Sequence, residues 1–89
     1  MSLQRESART RVRARIAELA AEMGRDASRL GDTEVIPQTG LLDSAGILGL
    51  IVWCEQEFGV ELDFEEINIE NFGTVERILD HLASLTSRG

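Results

Sequence analysis

Several residue types are scarce in this chain of 89 residues, and each scarcity excludes a class of protein. The one cysteine, Cys54, excludes an internal disulfide and any zinc site built from paired cysteines. No apolar run approaches the roughly 20 residues of a membrane-spanning helix, and residues 1–10 are too polar for a signal peptide. We therefore expect a cytoplasmic protein without a membrane span, with Cys54 as a buried structural thiol.

The residue types that build catalytic centres are also sparse. The single histidine, His81, lies far along the chain from Ser44, the serine at the start of the most apolar stretch, and no third, orienting group is evident. A Ser/His hydrolase needs its nucleophile, base and acid held together, and a chain of this size offers little shelter for them. There is no glycine-rich phosphate loop either. We expect no independent catalysis and no metal site, with His81 as a helix surface residue.

Basic side chains are missing from the middle of the chain, since none occurs between Asp32 and Glu76. Residues 1–30 hold seven arginines against four acids, whereas residues 31–89 hold two arginines against twelve acids. The acidic part outweighs the basic part, and the net charge is −7. Such a surface repels nucleic-acid phosphates and attracts basic protein patches, so we expect protein partners and no nucleic acid.

Apolar residues recur at helical spacing in three segments. The first helix ends at Gly24, and its arginines 5, 9 and 13 form a separate stripe that we interpret as a solvated face. The last helix begins after Thr74, a good N-cap residue. The three apolar stripes are Val12, Ile16, Leu19 and Met23; Leu50, Cys54, Ile47, Phe58 and Ile51; and Val75, Ile78, Leu79, Leu82 and Leu85.

The connections between these helices differ in length. A long first loop runs from Gly24 to Leu42, and its glycines and its one proline exclude a continuous helix there. Gly59 to Asp63 reads as an extended loop, followed by a short, irregular helical piece from Phe64 to Asn71, with Phe64, Ile67 and Phe72 facing inward. We predict an all-α fold: a small four-helix bundle of three main helices plus a short third helix, forming a single domain over residues 1–89.

The second helix is the most informative stretch. Asp43 is a good N-cap residue, Ser44 falls in the first turn, and Phe58 followed by Gly59 is typical of a helix end, which predicts a helix from Ser44 to Phe58. Away from its core stripe this helix carries a second apolar face, which is either buried in a central helix or an exposed docking patch. That face consists of Ala45, Leu48, Gly49, Val52 and Trp53.

Two glycines in this helix favour the docking alternative. Gly46 and Gly49 each cost a helix interior roughly 1 kcal/mol relative to alanine. A cost of that size indicates that another group must approach the backbone closely.

These residues carry a resemblance to a known family. Leu41-Leu42-Asp43-Ser44 before an apolar helix, with Glu57-Phe58-Gly59 at its end, resembles the acyl, peptidyl and aminoacyl carrier proteins that bear a 4'-phosphopantetheine arm. Ala45 stands where that family usually has leucine. The resemblance covers about Thr39 to Leu85 well and the first helix only in type. The length of the chain and its acidic middle part also agree with the family.

The resemblance implies a function and a set of partners. A phosphopantetheinyl transferase would move the arm from coenzyme A onto Ser44, with Asp43 as the flanking N-cap. An adenylating ligase that activates an amino acid or acyl group would then load the arm's thiol as a thioester, and a downstream acceptor enzyme would receive the cargo. The protein itself would be a carrier, not an enzyme, and a monomer.

The cargo is inferred from departures from the family pattern. Many fatty-acid carriers have acidic residues just after the serine, whereas Gly46 and Gly49 occupy such positions here. Partner recognition should thus depend more on Leu48, Val52 and Trp53 than on charge, which favours aminoacyl over fatty acyl cargo. The alternative function is a non-catalytic helical docking or adaptor module that binds a partner through the apolar face around Trp53.

Overall fold

The structure, a computed structural model, describes residues 4–86 and, within them, every side chain except those of Phe64 and Ile69. These residues form five α-helices and one 3₁₀ turn, at Phe64–Glu66, and no strand. The predicted all-α architecture of three main helices with a short helical piece before the last is confirmed. The expected inward position of the Phe64 side chain lies outside the described residues. The helices are α1 Arg5–Glu22, α2 Ile36–Thr39, α3 Ser44–Phe58, α4 Ile69–Phe72 and α5 Val75–Thr86.

Helix α1 buries a narrower stripe than the sequence predicts. Leu19 and Met23 are only half-buried, whereas Val12, Ile16 and Ala20, which extends the same stripe, are completely buried where α1 packs against α3 and α5. After Met23, Gly24 adopts φ 74° and ends the helix as predicted. The buried residues of α1 are Ala8, Val12, Ile16 and Ala20.

The long first loop is pinned to the bundle by apolar side chains and backbone hydrogen bonds. Leu30, Ile36 and Leu42 are buried, and the Ile36 N–H donates to the Gly73 carbonyl at 2.7 Å. The only helical part of the loop is α2, a single turn with a proline at its start and Gly40 at φ 75° at its end. The exclusion of a continuous helix is therefore confirmed, and the loop forms part of the core.

Helix α5 follows a cap that the sequence predicts. The Thr74 hydroxyl accepts a hydrogen bond from the Arg77 N–H at 3.0 Å, and Val75, Ile78, Leu79 and Leu82 are completely buried. Leu85, at the end of the predicted stripe, is half-buried. The α5 helix packs against both α1 and α4, so it closes the bundle.

The interpretation of His81 as a surface residue is wrong. Its ring lies edge-on to Phe72 with 5.4 Å between the ring centroids, and its Nε2 atom lies 3.6 Å from Glu66 Oε2. The side chain is only 15% exposed. Because α4 folds back against α5, a position that would be exposed on an isolated helix is covered here.

The interpretation of the arginine stripe on α1 as a solvated face is also wrong. Arg5 Nη2 lies 2.6 Å from Glu76, Arg9 contacts Glu76 at 2.8 Å and Asp32 at 2.9 Å, and Arg13 contacts Asp32 at 2.5 Å. The two acids come from the first loop and from the first turn of α5. The stripe therefore joins three parts of the bundle, and its charge is largely used within the chain.

Candidate functional site

The start of α3 presents Ser44 at an exposed, capped helix end. Asp43 has an extended backbone, and its Oδ1 atom accepts a hydrogen bond from the Gly46 N–H at 2.8 Å. Ser44 is the first helical residue, and both Asp43 and Ser44 are exposed. The N–H groups of the first turn and the helix dipole make this end favourable for an anion. The predicted N-cap is confirmed, and a serine hydroxyl lies in the open beside it.

Gly46 is where the backbone is closely approached. A Cβ atom on Gly46 would lie 3.3 Å from Asp43 Oδ1 and 3.3 Å from Leu42 Cβ, closer than ordinary van der Waals contact. A Cβ atom on Gly49 would meet Leu19 Cδ2 at 3.9 Å, which is an ordinary contact. The predicted need for close approach therefore holds at Gly46, where the cap folds back over the first turn, and not at Gly49.

The second apolar face of α3 is exposed in one part and covered in another. Leu48 is 53% exposed and Val52 is 49% exposed, and Ala45, one turn before Leu48, is exposed as well. Trp53 is half-buried and lies edge-on to Phe58 with 5.8 Å between the ring centroids. The exposed docking patch of the sequence analysis thus describes one part of the face, and the buried alternative describes the part around Trp53. The exposed part, Ala45, Leu48 and Val52, is called the α3 ridge below.

An apolar groove of about 160 Å³ opens beside α3. It lies between α3 and the segment that leads into α5, and Ile47, one turn from Ser44, forms part of its wall. The sequence analysis missed this groove, because its walls come from three separate segments of the chain. The sequence analysis places four of the lining residues inward, but no local pattern indicates that they surround one groove: Ile47, Ile51, Ile67 and Phe72. The lining residues are Pro37, Ile47, Ile51, Ile67, Asn68, Phe72 and Gly73.

A comparison with protein-family models agrees with this geometry. The model of a family described as "phosphopantetheine attachment site" matches residues 14–82, which is more than half of the chain. The chain belongs to this family. Its cofactor is accordingly a covalently attached 4'-phosphopantetheine, and the protein is a phosphopantetheine-bearing carrier protein. No curated protein matches the chain.

The start of α3 fits such a cofactor. The arm is joined to its carrier through a phosphodiester, an anion that needs an accessible hydroxyl and gains from a helix N-terminus. Ser44 offers the hydroxyl in an exposed position, and Asp43 keeps its carboxylate turned to the Gly46 N–H. When bound, the arm supplies the thiol that holds a cargo.

The acidic residues at the end of α3 are used inside this carrier protein. Glu55 Oε2 accepts a hydrogen bond from the Leu62 N–H at 3.0 Å and so holds the extended loop after the helix. Glu57 lies 2.7 Å from Arg11, whose guanidinium stacks over the Phe58 ring at 4.6 Å. Both carboxylates therefore stabilise the end of the helix that is remote from Ser44.

The remaining candidate groups of the carrier protein are structural. Cys54 is completely buried, and burial raises the pKa of its thiol to about 12, as predicted for a structural thiol.

Within residues 4–86 no cluster of three or more histidine, cysteine or acidic residues is placed to hold a metal ion. In the same described part of the chain, no helix has both the length and the apolar character needed to cross a membrane.

Proposed function

We propose that Ser44 is the residue that bears the 4'-phosphopantetheine arm. The observation that supports it is the exposed position of Ser44 as the first residue of the capped helix α3. The family match at residues 14–82 contains one other serine, Ser28. Ser28 follows Asp26 in a tight turn, where its backbone N–H donates to Asp26 Oδ1 at 2.9 Å. Ser28 thus lies in a turn of the first loop, where its hydrogen bond lowers the pKa of the Asp26 carboxyl, and not at the start of a helix as Ser44 does.

Ser44 in this proposal is a substrate and not a nucleophile of its own. Another enzyme must reach the hydroxyl, so exposure matters more than a neighbouring base. Proteins of this family are modified by a phosphopantetheinyl transferase and serve acyl-handling enzymes. Here the arm would move cargo between an adenylating ligase and an acceptor enzyme while the protein stays rigid. A cytoplasmic location, where coenzyme A is available, stays a prediction.

The α3 ridge is the proposed docking surface for these enzymes. Leu48 and Val52 are the large apolar side chains that the structure leaves about half exposed, and they follow Ser44 along one side of the helix. Trp53, which the sequence analysis assigns to the same face, is half-buried against Phe58 and leaves less of its side chain exposed to a partner. Gly49 lies at the side of this surface that faces Leu19 of α1.

An aminoacyl cargo is favoured over a fatty acyl cargo. The positions after Ser44 carry no acidic side chain that a basic, fatty-acid-type partner could bind. Glu55 and Glu57, the next acids along the helix, are engaged with Leu62 and Arg11. An apolar ridge without charge is thus what a loading enzyme meets at this helix, which supports a carrier of the amino-acid-activating type.

Intact-protein mass tests the attachment site. Wild-type protein is incubated with coenzyme A, magnesium and a broad-specificity phosphopantetheinyl transferase, together with Ser44→Ala and the matched control Ser28→Ala. We expect wild type and Ser28→Ala each to gain one phosphopantetheine and Ser44→Ala to gain none. If Ser44→Ala were modified as well as wild type, Ser44 would not be the site. If folded, unmodified wild type gained nothing, the docking or adaptor function would replace the carrier function.

Two further measurements address the docking surface and the cargo. Leu48→Gln should raise the KM of the transferase for the carrier several-fold, whereas Ala17→Gln, at an exposed position on α1, should leave it unchanged.

To test the cargo, the protein loaded with the arm is offered to amino-acid-activating and fatty-acid-activating ligases. Charging by the second class alone would contradict the aminoacyl proposal while leaving the carrier function intact.

A further inference from the structure

The end of α1 and the start of α3 lie at the same end of the bundle. Arg11, in the first half of α1, pairs with Glu57 near the end of α3 at 2.7 Å. Leu19, two turns further along α1, lies 3.9 Å from the position of a Cβ on Gly49, near the middle of α3. The two helices therefore run antiparallel. The residues just after α1 are consequently carried towards Ser44.

Arg25 is anchored at that end. Gly24 turns the chain with φ 74°, and the Arg25 N–H donates to the Ala20 carbonyl at 2.9 Å, which fixes the arginine backbone against the last turn of α1. Its guanidinium Nη1 donates to the Gly40 carbonyl, at the start of the segment that leads into Ser44. The side chain is exposed and so reachable by a ligand from solvent.

Arg25 differs from the arginines of α1 in the group that its guanidinium contacts. Each arginine within α1 lies within ion-pair distance of a carboxylate, as in the contacts of Arg9 with Asp32 and of Arg15 with Glu18 at 3.5 Å. Arg25 donates to a neutral carbonyl instead. A guanidinium has five N–H donors in a planar fork that matches phosphate oxygens, so one bond to a carbonyl leaves donors for an anion.

We propose that Arg25 is the cation that binds the phosphate of the phosphopantetheine arm on Ser44. The inference rests on the proposed attachment of the arm to Ser44. No basic residue lies between Asp32 and Glu76, so α3 and its flanking segments offer the phosphodiester no cation of their own. The backbone N–H groups at the start of α3 provide dipoles, and Arg25 provides a full positive charge from across the bundle end. The pair is exposed to solvent and is therefore weakened by salt.

The phosphorus and arginine NMR signals of the loaded protein test this inference. Wild type, Arg25→Gln, Arg25→Lys and the control Arg29→Gln, which removes an exposed arginine four residues further along the loop, are loaded with the arm and verified by mass. We expect the ³¹P signal of the phosphodiester in Arg25→Gln to differ from wild type at low salt, and the difference to close at high salt. Arg25→Lys and Arg29→Gln should stay close to wild type.

A second measurement needs no variant. The Arg25 Nε–Hε signal of wild type should shift when the apo protein becomes loaded and return towards its apo position at high salt. An unmoved arginine signal, or a ³¹P signal that is the same in Arg25→Gln and wild type, would overturn the inference. A difference that persists at high salt would also overturn it, since it would indicate a structural role for the Gly40 contact. Failure of the proposed attachment site looks different, because Ser44→Ala would then acquire the arm, and show its phosphodiester signal, as readily as wild type.

Discussion

Replacing each glycine of α3 by alanine tests whether that position requires glycine, as we expect at Gly46, or accepts a larger residue, as we expect at Gly49. Both Gly46 and Gly49 lie within the helix, and alanine at either position should recover up to about 1 kcal/mol of helix propensity. At Gly49 the new methyl group meets only Leu19 Cδ2, at 3.9 Å. Gly49→Ala should therefore raise the free energy of unfolding by roughly 0.5–1 kcal/mol, which raises the Tm of a small domain by about 2–8 °C.

Gly46→Ala adds the same propensity and opposes it with a local clash. Its methyl group would lie 3.3 Å from both Asp43 Oδ1 and the buried Leu42 Cβ, so the cap carboxylate must move. An N-cap hydrogen bond contributes about 1 kcal/mol, and displacing a buried leucine adds to the loss. We expect no net stabilisation and a deficit of about 1–2 kcal/mol relative to Gly49→Ala.

Urea unfolding of the apo proteins, followed by the fluorescence of Trp53, measures both values, since Trp53 is the one tryptophan of the chain. The Asp43→Ala background provides the control. Without the carboxylate, Gly46→Ala loses one of its two clashes and should regain part of the stabilisation. If Gly46→Ala stabilised the protein as much as Gly49→Ala in the native background, the argument from close approach would be refuted.

Three further predictions concern the rest of the bundle. Because burial raises the pKa of Cys54 to about 12, a thiol reagent at pH 8 should react with it only as fast as the protein opens, and quickly in denaturant. Hydrogen bonds from Arg9 and Arg5 lower the pKa of Glu76 below its ordinary value of 4.5. Its contribution to stability is thus present above about pH 4.5 and is lost as the pH falls through the lowered pKa, so Glu76→Gln should lower the Tm at pH 7 and have a progressively smaller effect as the pH falls below 4.5. Thr74→Ala should cost about 1 kcal/mol in urea unfolding, and Thr74→Ser should retain most of it.

The helix that begins at the candidate residue Ser44 could be predicted to the residue because its signals are local. Asp43 caps the first turn through its own side chain, and Gly59 ends the last turn at φ 64°, so neither boundary depends on the rest of the chain. The observed helix, Ser44–Phe58, is the one that the sequence predicts. The same applies to Thr74 and α5, where the capping hydroxyl and the N–H it receives are three residues apart.

Features that join distant segments could not be predicted in this way. Arg5 and Arg9 share a stripe of α1, but their partner Glu76 is 71 and 67 residues away, and nothing in the spacing of α1 identifies it. The prediction that His81 lies on the surface is wrong for the same reason, since the residues that bury its ring, Phe72 and Glu66, lie outside its own helix. Helical periodicity states which residues share a face and leaves open what lies opposite that face.

The candidate site divides along the same line. The Asp43 cap is local and was predicted, whereas the apolar groove combines the first loop, α3 and α4 and was missed. The second apolar face of α3 lies between these cases. Its five residues follow from periodicity, but periodicity does not show that Leu48 is exposed while Trp53 is half-buried against Phe58.

The internal use of arginine also determines what the surface offers a partner. Asp32 and Glu76 are paired with arginines of α1, whereas the acidic side chains of the segment after α3, on Glu61, Asp63, Glu65 and Glu70, are exposed. The α3 ridge, which follows Ser44 directly, carries no charge of its own. Charge outside such a contact accelerates association at low salt, whereas an apolar contact sets the lifetime of the complex and responds little to salt.

The contributions of surface charge and of the apolar α3 ridge to partner binding can therefore be measured separately. Removing Glu61 and Glu65 charges should lower the association rate with a loading enzyme only at low ionic strength. Truncating Leu48 should raise the dissociation rate at any ionic strength, because the ridge loses buried apolar area. A Leu48 effect that disappeared at high salt would show that charge, and not the apolar ridge, holds the partner at Ser44.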